Sequence, residues 1–141
     1  MVINYQEKII ALWTVFLLGT LFHTQLGLMP LFHGQSIAIN AYGTSSIFWW
    51  MLAFFMLPMV AIVATAFLSS RHYRATHFGL TIFYTVMNFL HVALDLGVRP
   101  IAWYQIGLMV ILFLVGLLLN LVAFQWLHNH NYGGKWQVEK T

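Results

Sequence analysis

Two histidines stand inside otherwise apolar stretches, His23 in Leu21-Phe22-His23 and His91 in Phe89-Leu90-His91. Imidazole binds transition metals and haem iron, and it exchanges protons near neutral pH. Among Leu and Phe it gives up its water, so each such histidine is a candidate for function. Both stretches then reach a glycine and a proline, Gly27 and Pro30 in the first, Gly97 and Pro100 in the second. If these close two helices that run the same way, both histidines lie about five residues inside their helix ends, roughly 8 Å deep. Side chains at one depth on parallel helices can meet.

Gly19 and Gly27 flank His23 one helical turn on either side. Residues four apart share a helix face. Loss of both side chains leaves a flat surface on which a macrocycle can lie while an imidazole reaches its metal. Bis-histidine haem b on His23 and His91 fits this pattern, with Arg99 and His33 near the propionates. The same glycines also suit close helix packing in a membrane.

Asp95 points to another chemistry. It lies one turn beyond His91 and so on the same face. With His23, and with His33 from the following loop, it makes a His/His/Asp set for copper, zinc or iron, the carboxylate favouring the harder ions. Alternatively Asp95 pairs with Arg99, again one turn away. An Asp–His pair can also serve proton or quinone chemistry. Met29, Met51, Met56 and Met59 are soft thioethers, although methionine in apolar helices is generally packing. Asn88 stands three residues before His91, and Gln25, Gln105 and Asn120 suit interhelical hydrogen bonds. His72 and His77 beside Arg71 and Arg74 read as a solvated, lipid-facing loop. His128 and His130 read as interfacial.

The elements that must carry these residues follow from composition. Of 141 residues, 61% are hydrophobic and 6% charged, and no charged side chain occurs between Lys8 and Arg71. An ordinary soluble domain is about 25% charged. Four apolar runs, each long enough for a bilayer crossing, cover about 7–29, 46–69, 76–96 and 101–128. The expected fold is all-α: a single polytopic integral membrane domain, 1–141, built as a four-helix bundle. Pro30 is expected to stop the first span and Pro58 to kink the second. The repeated His, Gly and Pro suggest two hairpins related by a pseudo-two-fold axis, and 129–141 reads as a polar tail.

Lys8, Arg71, Arg74, Lys135 and Lys140 fall on one side of this layout and Arg99 on the other. The positive-inside rule then sets both termini in the cytoplasm, in a bacterial inner membrane or a thylakoid-type membrane. Trp49, Trp50, Trp103, Tyr104 and Trp126 fall near span ends, as an aromatic belt does. The absence of cysteine excludes disulfides, Fe–S clusters and thiol nucleophiles. No phosphate-binding loop or dinucleotide fingerprint is present. Six Lys and Arg in all make no nucleic-acid surface. The partners implied are the lipid bilayer and either a larger membrane complex or a second copy of the chain. Three functions remain. Matched depth and flanking glycines favour haem b; Asp95 favours a metal ion; small size and an apolar exterior suit an accessory or assembly subunit.

Overall fold

The computed structural model describes residues 4–34, 45–97 and 101–129. Among these residues there are four helices, α1 (Tyr5–Phe32), α2 (Ser45–Phe67), α3 (Arg71–Asp95) and α4 (Trp103–His128). All four are long and apolar enough to cross a membrane, which is compatible with an integral membrane protein. At about 1.5 Å per residue, the 23 residues of α2 already exceed a hydrocarbon core of about 30 Å. Arg99 and residues 130–141, including Lys135 and Lys140, lie outside the described residues, so the expectations for Arg99 and the tail have no structural counterpart.

Two helix boundaries differ from expectation. Pro30 does not stop α1, which runs on to Phe32. A proline inside a helix forfeits its own N–H bond, but the chain closes the last turn with His33 N–H donating to the Pro30 carbonyl at 3.1 Å and Gly34 N–H to the Leu31 carbonyl at 3.1 Å. The stop is Gly34, whose φ of +72° is the left-handed conformation that glycine adopts freely after a helix. Asn4 opens the same helix, its side chain accepting from Gln6 N–H.

The second difference is larger. α3 begins at Arg71 rather than Thr76, capped by the Ser70 hydroxyl, which accepts from Tyr73 N–H at 3.3 Å. Arg71, His72, Arg74 and His77 are therefore helical, and the loop expected there shrinks to residues 68–70. α2, by contrast, continues through Pro58, which is buried.

Each helix packs chiefly on its neighbour in an open ring, α2 on α1, α1 on α4 and α4 on α3. Small residues permit the close approaches. A Cβ at Gly116 of α4 would lie 2.8 Å from Thr85 Oγ1 of α3. The same hydroxyl accepts from Asn120 Nδ2 at 3.0 Å and donates to the Thr81 carbonyl at 2.9 Å. Small and hydrogen-bonding residues together are what hold apolar helices when the exterior is as oily as the interior. Between α2 and α3 tyrosines form the links: Tyr73 OH donates to the Ala61 carbonyl at 3.0 Å, and Tyr84 OH to the Phe54 carbonyl at 2.7 Å. A two-fold axis relating the two hairpins would make the α1–α4 and α2–α3 interfaces alike, and they are not.

The apolar side chains lie mostly outward, and α3 explains why. Its buried residues are Arg74, His77, Thr81, Tyr84, Thr85 and Asn88, a polar stripe facing the bundle interior. The inward face of a membrane helix is where polar groups find partners.

Candidate metal centre and the buried aromatic end

Helices α1 and α3 bring His23 and His91 together at the end of the bundle away from the termini. Their rings stand 5.3 Å apart, edge to face. Asp95, one turn beyond His91, turns Oδ2 toward both Nε2 atoms, 3.5 Å from His91 and 4.0 Å from His23. One ligand atom from each of the three residues lies within 4.8 Å of the others, so this group can hold a metal ion. In a tetrahedral site with bonds of about 2.0–2.1 Å, ligand atoms sit about 3.3 Å apart, so the Asp95–His91 pair is already near that spacing while the widest pair must close by about 1 Å or more.

Asp95 Oδ2 is buried and has no hydrogen-bond partner among the described residues, as is true of His23 Nδ1. A carboxylate oxygen flanked by two imidazole nitrogens, at distances too long for good hydrogen bonds, is an arrangement that a shared cation would satisfy. The side chain of His91 is 51% exposed and that of His23 12%.

The other expected site residues divide. His33 is the exposed C-cap of α1 and does not join the three. Gly19 faces α4, where an added Cβ would overlap the Leu112 side chain, so the surface expected to be open for a macrocycle is filled. Gly27 also faces α4, 3.6 Å from Gln105 Nε2 as measured to an added Cβ. Both glycines thus serve helix packing here. Met29, Met56 and Met59 are exposed, and Met51 lines a cavity.

That cavity, of about 380 Å³, adjoins the histidines. All four helices contribute to it. His23, His91 and Asn88 supply polar atoms, and Phe16, Trp50 and Phe54 supply ring faces. Phe54, whose carbonyl accepts from Tyr84 OH, is part of its wall. Asn88 donates weakly through Nδ2 to Met109 Sδ at 4.0 Å, while its buried Oδ1 has no partner.

The opposite end holds a second polar group that composition alone hid. His77 is 1% exposed, and its Nε2 accepts from Trp13 Nε1–H at 2.9 Å. Arg74, 8% exposed, donates through Nε to the Ser69 carbonyl at 2.9 Å and through Nη1 to the carbonyls of Trp126 and Asn129, each at 3.1 Å. Its guanidinium carbon also lies 5.3 Å from the Trp126 ring centre. Trp13, Phe16, Phe54 and Tyr84 pack edge-on or tilted between this end and the cavity. The solvated loop expected for Arg71–His77 is therefore corrected for Arg74 and His77, which are interior. The signal was present: Arg74, His77, Thr81, Tyr84 and Asn88 recur every three or four residues, a single helix face.

No family model, curated protein or solved structure matches the chain.

Proposed function

We propose that the chain is an integral membrane protein that binds one transition-metal ion through His23, His91 and Asp95. The observation that carries this reading is the convergence of three ligand atoms on one gap, with a buried carboxylate oxygen that lacks a hydrogen bond. Two imidazoles and a carboxylate suit zinc or ferrous iron, and they leave coordination positions open. The cavity that His23 and His91 line adjoins the group and would give a ligand access to such a metal. The charge pattern supports an orientation with the termini in the cytoplasm and the metal toward the opposite face.

Bis-histidine haem b is the weaker reading. Leu112 occupies the face of α1 at Gly19, and Asp95 brings a negative charge to the histidines where an axial pair needs none. Copper is disfavoured by the carboxylate and by the outward methionines.

The test is elemental analysis of the detergent-purified chain, with a cobalt(II) titration read by visible absorption. One metal per chain, lost in Asp95→Asn, is expected. Binding should weaken as pH falls, because protons compete with the metal for the imidazole nitrogens. A Soret band with one iron per chain would replace this reading with haem. A chain that takes up no cobalt, zinc or iron would leave the accessory-subunit reading.

A further inference from the structure

The cavity beside the histidines has a shape and lining of its own. It lies beside the Tyr84–Phe54 bridge, lined by Trp50, Met51 and Phe54 of α2 and by Met87, Asn88 and His91 of α3. Trp50 and Met51 on α2 and Met87 on α3 line it and are also exposed on the outer surface. In a bilayer, an opening between those two helices faces lipid rather than water. The walls are ring faces and thioethers, which suit a flat aromatic group. The polar lining residues are Asn88, His23 and His91 with Thr20 and Thr24, whose hydroxyls already donate within α1; the Asn88 carbonyl oxygen is buried and has no donor among the described residues. Asn88 is 6% exposed, and an amide oxygen so buried is costly to leave unpaired. The oxygen itself is covered in the structure, and a turn of the amide would bring it to the cavity that Asn88 lines, where a hydroxyl can satisfy it. At about 380 Å³ the space is at the small end of ligand pockets and fits a substituted ring, with any tail left in the lipid.

We infer that this cavity binds the head group of a membrane-soluble quinol, entering from the bilayer between α2 and α3, with its ring among Phe16, Trp50 and Phe54 and a hydroxyl donating to Asn88 Oδ1. This builds on the metal reading, since the bound hydroxyl faces the imidazoles proposed as ligands, but the cavity does not need the ion to exist.

Photolabelling of the full chain in lipid nanodiscs with an azido-ubiquinol tests it, with labelled peptides identified by mass spectrometry and decylubiquinol as competitor. Label is expected on the stretches that contain Trp50 to Phe55 and Met87 to His91, and the competitor should abolish it. Asn88→Leu should reduce competitor affinity about tenfold, the worth of one buried hydrogen bond. Met87→Trp, at the opening, should exclude the probe while bound metal per chain stays the same. Label spread evenly over the outward faces, or displaced equally by phosphatidylglycerol alone, would overturn the inference and assign the space to lipid tails. The two proposals fail separately. Specific label on a chain that binds no metal removes the metal site and keeps the quinol site; metal binding without specific label does the reverse.

Discussion

Each end of the bundle holds a histidine beside aromatic side chains, and the surroundings differ. Where α1 begins, His77 is fully enclosed, its Nε2 accepting from Trp13 and Arg74 fastened to backbone carbonyls nearby. At the other end His23 meets His91 and Asp95 without a hydrogen bond among them, beside a cavity. The aromatic layer around Tyr84 separates the two. An unpartnered nitrogen does not by itself separate the ends, since His77 Nδ1 lacks a partner as His23 Nδ1 does. What differs is the company: at one end three metal-ligating side chains converge beside a cavity, at the other a lone imidazole is closed in by indoles.

Breaking the closed end should cost stability and spare the metal. Trp13→Ala removes a fully buried indole and strips His77 of its donor. About 3–5 kcal/mol is expected, measured by unfolding in detergent, with the metal content of the folded fraction unchanged. Breaking the open end should do the reverse. His91→Ala should lower zinc affinity at least about a hundredfold, or about 2.7 kcal/mol, while metal-free stability stays within about 0.5 kcal/mol, because the side chain is half exposed. Gly116→Val presses on Thr85 and should cost about 1–3 kcal/mol in the same unfolding assay, weakening the α3–α4 contact that supports both ends. Asn120→Ala removes a single interhelical hydrogen bond and should cost about 0.6 kcal/mol. The smallest effect sharpens the boundary of the site: His33→Ala should leave zinc affinity unchanged, whereas a tenfold loss would bring the end of α1 into the coordination sphere.

The open end was the more legible of the two from sequence. Matched depth brought His23 and His91 together on paper, and the one-turn spacing attached Asp95. His33 stands apart from the three-residue group because α1 does not stop at Pro30. Once α1 continues past it, His33 lies about 15 Å along the axis from His23. Gly19 was read toward a cofactor because its actual neighbour, Leu112, carries no sequence mark. The closed end escaped because Arg71–His77 has the composition of a solvated loop. Composition counts charges without asking which way they point, and the helical period of α3 held that information. The four apolar runs were plain because a bilayer's thickness fixes their length. Their pairing was not, since one oily surface meets another with little to distinguish them.

The central claim is that metal binding belongs to the open end alone. Zinc titration of the purified chain beside His91→Ala and His77→Gln, each in lipid nanodiscs, tests it most directly. One zinc per chain in the unaltered protein and in His77→Gln, with none in His91→Ala, is the predicted result. Full binding by His91→Ala, or loss confined to His77→Gln, would contradict it.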